Sequence, residues 1–432
     1  MTQSESSPRV VILGLDGVSW PLVQKLTEEG VMPRLKALAE ESNCGPMLST
    51  LPEISPVAWT TFFTGRSPGD HGIYGFTEFE AENYKVRFNS SGQIRVPALW
   101  DWLGLKNKKS VVLNVPMTYP AQALSGVMVS GFMALNIDRA GFPSWVVDFL
   151  KKNNYRLEAD FEVVHQDRQT FLDDLDLTLA GRLDLMERFW PENWDLFFLV
   201  LTDPDRLNHF FYREYEEKGS IYQYFLDYYH RLDRAVGRIH DLAERLAHEE
   251  SADLCLVLLS DHGFTGVKEE FHLNRWLKAQ GFQDSAGPEA LALALDPTRI
   301  YLNRAPRFPS GRLNGSDAKM LVQKLNYDLM AEPAVESVFK RSELFSGQAI
   351  DMAPDMVVKP AAGFEFKAKF TPGPVYSPSP LMGTHTREGA FYLVHDFSGR
   401  KEKPMVDDIL DLAQYVFTLL DVKQRDSHEI QN

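Results

Sequence analysis

Seven residues of this 432-residue chain have the types and spacing to do chemistry together. Asp16 closes an apolar run in VVILGLDG. Asp205 and His209 stand four apart in LTDPDRLNH, Asp261 and His262 adjoin in LLSDHGF, and His385 lies in the turn-like GTHTREG. Ser55 precedes Pro56 in PEISPVAWTTFFTG. Three carboxylates, three imidazoles and a hydroxyl form a natural ligand set for two divalent metals. Mixed nitrogen and oxygen donors suit zinc, with manganese or iron as substitutes. A helical turn would put Asp205 and His209 on one face, whereas adjacent Asp261 and His262 point to different sides and reach one metal or two. Two divalent cations against three carboxylates leave one net positive charge, a pocket for an anionic ester. Two metals ~3.5–4 Å apart can steady both the attacking and the leaving oxygen of an in-line displacement. Ser55 is the nucleophile candidate: the spacing puts it at the N-cap of a helix over 56–63, beside unpaired N–H groups and the positive end of the macrodipole. Metal coordination can turn its weakly nucleophilic hydroxyl into an alkoxide.

These residues need a frame. Four apolar, β-branched runs read as buried strands, at 10–15, 109–115 (KSVVLNV), 194–201 (WDLFFLVL) and 253–259 (DLCLVLL). Helical spacing appears over 21–41, broken at Gly30 and Pro33, and again at roughly 168–189 and 221–249. Strands without polar alternation, separated by helices, predict a largely parallel sheet covered on both faces. Ligands bind outside the carboxyl ends of such strands, and there Asp16, Asp205, His209, Asp261 and His262 fall. One domain over 9–430 is expected. Stretches 77–190 and 265–380 fit the pattern poorly and are read as insertions, or a cap over the sheet's edge.

Composition narrows the class. Hydrophobic content of 44% and charged content of 24% indicate a globular chain. A net charge of −15 excludes a general nucleic-acid binder but allows a cationic pocket for a small anion. Cys44 and Cys255, the two cysteines, allow neither a disulfide framework nor a cysteine zinc site. The polar tail at 1–8 runs straight into the first strand, with neither a signal peptide nor a membrane span. The expectation is a soluble cytoplasmic protein whose partner is a small anionic ester, neither a nucleic-acid polymer nor a membrane.

The ordered motifs resemble the alkaline phosphatase superfamily, and within it the type I phosphodiesterase/nucleotide pyrophosphatase family. That family has an early strand-terminal Asp, then a Thr or Ser nucleophile nine residues before Thr-Gly, followed by Pro-x-x-His-Gly-Ile. Here Thr64-Gly65 precedes Pro68 and His71-Gly72-Ile73, which puts Ser55 in the nucleophile's place. Asp-x-x-x-His matches Asp205 and His209, Asp-His-Gly matches Asp261, His262 and Gly263, and Gly-x-His matches His385. The resemblance implies a three-layer α/β sandwich with inserted cap segments. It also implies one metal on Asp205, His209 and His385, and a second on Asp16, Asp261, His262 and Ser55. The partner it implies is a small phosphorylated substrate. Two departures stand out. Ser55 replaces the usual Thr, and the family's phosphate-binding Asn aligns with Phe76, so nucleotide specificity does not carry over. LWDWL and NVPMTYP resemble a cytoplasmic bacterial and archaeal subgroup.

Each motif alone has a plainer reading: Asp16 and Ser55 as helix caps, Asp205–His209 as a surface hydrogen bond, Asp261–His262–Gly263 as a turn. Their joint order outweighs these. His71 is read as fixing the loop after the Ser55 helix; His230, His240 and His248 as solvated or packed; Phe210, Phe211, Tyr212, Tyr228 and Tyr229 as packing; Arg66 as a surface residue; Asn114 and Thr118 as lining the substrate site. The leading function is hydrolysis of phosphoric diesters through phospho-Ser55. A phosphomonoesterase, a phosphomutase and a non-catalytic metal-binding protein are the alternatives. A sulfatase is disfavoured because Pro-Val-Ala follows Ser55 where that family has x-Pro-x-Arg.

Overall fold

A computed structural model describes residues 8–160, 163–165, 167–250, 253–284, 286–399 and 402–423; the tail before Pro8 and residues 424–430 of the expected domain lie outside them. The four apolar runs are strands β1 (Arg9–Leu15), β3 (Ser110–Val115), β6 (Leu196–Leu201) and β7 (Leu254–Leu259). They lie in an eight-stranded sheet with β2 (Asn43–Met47), β4 (Gly126–Ser130), β5 (Gly141–Phe142) and β10 (Ala390–Asp396), in the order β2-β10-β7-β1-β6-β3-β4-β5. The central five strands, β7-β1-β6-β3-β4, are mutually parallel. Antiparallel β10 and β5 flank them.

Two apolar layers explain why these strands carry no polar alternation. Val11, Leu13 and Leu15 of β1 pack on one face with helices α1 (Trp20–Glu28), α2 (Pro33–Glu40), α4 (Arg168–Phe189) and α6 (Tyr222–Glu250). Val10 and Ile12 pack on the other with α3 (Ser55–Thr64) and α7 (Ile409–Leu419). Each such fully buried side chain contributes about 1.5–3 kcal/mol of transfer free energy, so both faces hold the sheet rigid beneath the site.

Of the stretch 77–190, β3, β4 and β5 are strands of the central sheet and α4 covers it; among the described residues, only the hairpin Thr77–Phe79/Val86–Phe88 pairs outside it. The middle strands, GVMVS and GF, are too short and glycine-rich to announce themselves. The described residues of the stretch 265–380 contribute no strand to the central sheet. It builds a four-stranded sheet of Ala292–Leu295, Arg299–Leu302, Met356–Pro360 and Val335–Lys340 around its own core, which includes Trp276, Leu325 and Val358. A two-stranded ribbon, β8 (Gly263–Gly266) against β9 (Gly383–Thr386), joins it to the main body. No helix among the described residues is long and apolar enough to cross a membrane.

Candidate metal centre and nucleophile

Neighbouring strands β7, β1 and β6 end together, in register Leu259–Gly14 and Gly14–Val200, and their carboxyl ends deliver Asp261, Asp16 and Asp205 to one place. The chain turns sharply after Asp16 at Gly17 (φ 70°), where a Cβ would lie 2.8 Å from the Asp205 backbone. Helix α5 (Asp203–Glu216) follows β6 and sets Asp205 and His209 one turn apart. The ribbon brings in the last ligand type, since Phe264 of β8 pairs with His385 of β9.

Two triads result, Asp205/His209/His385 and Asp16/Asp261/His262, each with ligand-type atoms within 4.8 Å of one another. In the first, His385 Nε2 is 3.1 Å from Asp205 Oδ1 and 2.9 Å from His209 Nε2. In the second, His262 Nε2 is 3.2 Å from Asp261 Oδ2 and 3.8 Å from Asp16 Oδ1. The triads touch: Asp205 Oδ1 lies 3.9 Å from His262 Nε2. Each imidazole has its Nδ1 against a backbone carbonyl, His209 on Gly383 (2.9 Å), His385 on Glu53 (3.1 Å) and His262 on Gly263 (3.1 Å). A carbonyl only accepts, so Nδ1 keeps its hydrogen and the Nε2 lone pairs face the carboxylates. That is the tautomer a metal-binding histidine requires. Asp261 Oδ1 accepts the Gly17 N–H at 3.2 Å, while its buried Oδ2 has no hydrogen-bond partner. Asp16 Oδ2 is held by the Trp59 indole at 2.9 Å.

Burial, then the charges the groups place on one another, sets protonation in the centre. Burial, then the charges of Asp261 and Asp205, pushes Asp16 well above the usual carboxylate range. Burial and Asp205 push Asp261 up to about 7. Burial pushes Asp205 up as well, but His209, the His385 hydrogen bond and Arg206 outweigh it and hold the carboxyl low. Burial lowers His209 to about 3 and, aided by His385, takes His262 well below the imidazole range. Burial opposes protonation of His385, yet its hydrogen bond to Asp205 raises it. Three buried carboxylates converge with converging lone pairs, and protons stand where cations fit. By donor type and tautomer the two triads suit divalent metals.

Ser55 begins α3, with Ile54 as the N-cap. Its Oγ lies 3.4 Å from Asp16 Oδ1 and 3.3 Å from His262 Nε2. One expectation is corrected here. Pro56 has no N–H, and those of Val57 and Ala58 both reach the Ile54 carbonyl at 3.0 and 3.1 Å. Among the first four helical residues, only Ser55 has an N–H outside those bonds, so the anion-binding ring of free amides is absent from these three. The macrodipole remains.

The other expectations divide. His71 donates Nε2–H to Thr61 Oγ1 (3.0 Å) and accepts the Ile73 N–H on Nδ1 (3.1 Å), fixing the loop as read. Arg66 lies past the far end of the ten-residue helix that Ser55 begins, about 15 Å away at 1.5 Å per residue. Thr118 spends its hydroxyl within its own turn, donating to Val115 O and accepting the Gly131 N–H. Asn114, in left-handed backbone (φ 57°), ties β3 to β6 through the Val200 carbonyl. What residue-by-residue reading missed is Arg206. Its Nη1 lies 2.9 Å from Asp205 Oδ2, its guanidinium sits 4.1 Å above the Phe132 ring, and its buried Nε, 3.8 Å from Glu158, has no hydrogen bond. Phe76 meets Phe132 edge-on at 5.6 Å, so the position of the family's Asn is an aromatic wall backed by a cation. The sequence offered only an arginine next to the motif aspartate, which does not distinguish it from a solvated charge.

A covered parallel sheet ending in two Asp/His triads and a helix-borne serine defines the alkaline phosphatase-like class of hydrolase. The chain belongs to the type I phosphodiesterase/nucleotide pyrophosphatase family, whose model matches residues 10–389. Members of that family are metal-dependent hydrolases of phosphoric esters. Among solved structures, phosphonoacetate hydrolase from Sinorhizobium meliloti 1021 in complex with phosphonoacetate superposes with a TM-score of 0.64 at 15% identity, over 96% of each chain. Human ectonucleotide pyrophosphatase/phosphodiesterase 5 superposes with a TM-score of 0.60 at 15% identity, over 97% of this chain and 96% of that one. The murine enzyme, inactive and in complex with AMP, gives 0.58 at 14% identity over 97% and 96%. At these identities the likeness concerns the fold. No curated protein matches this chain.

Proposed function

We propose that the protein hydrolyses phosphoric diesters through a phospho-Ser55 intermediate, with Asp205, His209 and His385 holding one zinc ion and Asp16, Asp261, His262 and Ser55 the other. The observation that supports this best is Ser55 Oγ within 3.4 Å of both Asp16 and His262, beside a buried Asp261 oxygen that has no hydrogen bond. Bound divalent metals would acidify the serine hydroxyl and offset charge on the attacking and leaving oxygens. Ser55 Oγ, having lost its proton, bonds to phosphorus as the bond to the leaving oxygen breaks, and that oxygen takes up a proton. Water then attacks phosphoserine, restoring the hydroxyl and releasing a phosphomonoester. Arg206 faces the outer oxygens of the phosphoryl group, and Phe132 with Phe76 forms the apolar wall for an ester group. The stretch 265–380 serves as the cap. Cys44 and Cys255, which form no disulfide, accord with a cytoplasmic setting.

Arg206 favours a second reading, a monoesterase, because a fixed cation beside the site matches the extra charge of a phosphomonoester. Metal-loaded protein assayed on bis-p-nitrophenyl phosphate and p-nitrophenyl phosphate separates the two. Faster diester turnover, abolished by Ser55→Ala and by chelation, supports the first reading. Preferential monoester turnover replaces it with the second, and unchanged activity in Ser55→Ala refutes the nucleophile in both.

A further inference from the structure

We propose that a basic cavity between the 77–88 hairpin and the cap is a second binding site, for a phosphate-bearing small molecule. The cavity measures about 560 Å³, within the ~300–1,000 Å³ of small-molecule sites. None of the seven centre residues lines it.

Its charge is concentrated at one end. Arg304, Arg307 and Arg341 converge on the single carboxylate of Asp355: Arg304 Nη2 at 2.8 Å, Arg341 Nη2 at 2.7 Å and Arg307 Nη1 at 3.6 Å. Asp355 Oδ2 also accepts the Leu302 N–H at 2.8 Å, so this carboxylate is saturated; with Asp351 the other acid in the lining there, the three arginines keep a net positive charge at this end. Arg307 holds its place through Nη2, which donates to the carbonyls of Asp351 and Ala353, and its buried Nη1 is left without a hydrogen bond. Arg95 adds a further cation from the main body. At the hairpin end Glu78 pairs with Arg87, Glu80 accepts from Asn83 at 2.7 Å and Glu82 adds a third carboxylate, so an anion is drawn to the arginine end and not to this one. Arg299 belongs to the frame instead: its guanidinium is spent on the carbonyls of Asp296 and Thr77.

Guanidinium groups present forked donors that match phosphate oxygens. Three arginines around one carboxylate gain little stability for the fold, since each must be desolvated against its like-charged neighbours. The same surplus becomes favourable when an anion enters. In a chain of net charge −15, such a pocket concentrates anions that the rest of the surface repels. Phe79 and Tyr301 give the cavity aromatic surface, the latter beneath Arg307 at 4.8 Å, where the rest of an organic phosphate would lie.

The test is calorimetric titration of inorganic pyrophosphate, and separately of ADP, into metal-loaded Ser55→Ala protein, with metal content rechecked afterwards. The expected result is two classes of site, one of which weakens about tenfold or more in Arg304→Gln while the other is unmoved, the loss of one charge-assisted contact being worth about 1.5–3 kcal/mol. Arg304→Lys, which keeps the charge, should recover part of that loss. Tighter ADP than pyrophosphate binding at the arginine site would identify a nucleotide as its source, and the reverse an inorganic polyphosphate. A single class of site in the parent protein, or two classes both unchanged in Arg304→Gln, overturns the proposal. Esterase turnover in Arg304→Gln with Ser55 intact should equal the parent's, so the result is independent of the function proposed above.

Discussion

Removing the metals should destabilise the protein more at pH 8 than at pH 5. In the metal-free fold, burial and Asp205 raise Asp261 from the ordinary 3.8 to about 7. A carboxyl raised in the folded state adds stability that is fully present below its unfolded value and is lost as pH rises through about 7. Bound metal reverses this, because it requires the carboxylate and must displace the proton below pH 7. At about 1.4 kcal/mol per pH unit, displacement costs about 3 kcal/mol at pH 5 and little at pH 8. Asp16, raised by burial, and His385, raised by Asp205, add in the same direction. His209 and His262 drop out, since burial keeps both neutral with or without metal. Unfolding entropy of about 2.1 cal/mol/K per residue over 432 residues converts 3 kcal/mol into a shift of roughly 3 °C. The assay is calorimetric melting at pH 5, 6, 7 and 8, with chelator or with metal held in fixed excess. The gap between the two Tm curves should widen by at least that amount from pH 5 to 7 and then level off. A gap that is constant or narrows would show that no proton leaves the triads on metal binding, and the assignment of Asp261 as a ligand would fall.

Ser55→Ala should lower ester turnover by about 10³-fold or more while the metal-induced rise in Tm survives; steady-state kinetics and melting check the two halves. Arg206→Met should reduce kcat/KM for a monoester about tenfold more than for a diester, one charge-assisted contact being at stake; equal losses would place the Arg206 charge outside substrate recognition. Thr61→Val strands the His71 Nε2–H in the core, at a cost of about 1–3 kcal/mol in denaturant melts, with metal binding unaffected.

The parallel strands were legible because burial on both faces leaves β1, β6 and β7 as unbroken apolar runs. Helix α4 announced itself through apolar spacing over roughly 168–189; the structure adds its cap, the Asp167 carboxylate accepting from the N–H groups of Gln169 and Thr170. β2 was not legible: NCGPM holds a glycine and a proline, and it is a strand only because β10 pairs with it along the sheet's edge. The run at 390–396 has the apolar signature of a strand, but no local pattern says that it enters antiparallel beside β7. Within the site, the ligand types could be read because acids and imidazoles at strand ends have few cheaper explanations in combination. Arg206 could not, because an arginine beside a motif aspartate looks like any solvated charge until Phe132 and Glu158, far away in sequence, close over it. Pro56 misled in the opposite direction: it marks a helix start, yet it also removes one of the donors that make such a start attractive to anions.

Gly383 ties the cap's entry ribbon to the metal centre more tightly than its place in a Gly-x-His motif conveys. Its carbonyl accepts the His209 Nδ1–H at 2.9 Å and thereby sets the ring that must present Nε2. Two residues on, His385 turns its own Nδ1 to the Glu53 carbonyl. A Cβ at 383 would lie 2.4 Å from the Phe264 ring, 2.6 Å from the Asn208 carbonyl and 2.8 Å from Tyr212 Cβ. Neither the backbone oxygen nor the packed rings can yield cheaply, so Gly383→Ala should push β9 away from α5, carrying His385 off and taking the Gly383 carbonyl from His209 Nδ1. Asp16, Asp261 and His262 hang from β1 and β7 and should stay in place. Disturbing the groups that orient a ligand typically costs about 10–100-fold in metal affinity. The expected result is therefore asymmetric: metal titration of Gly383→Ala should show one site weakened by that factor and the other within a few-fold of the parent. Equal weakening of both sites would mean that the triads share their ligands, and no weakening would mean that the ribbon does not position His385.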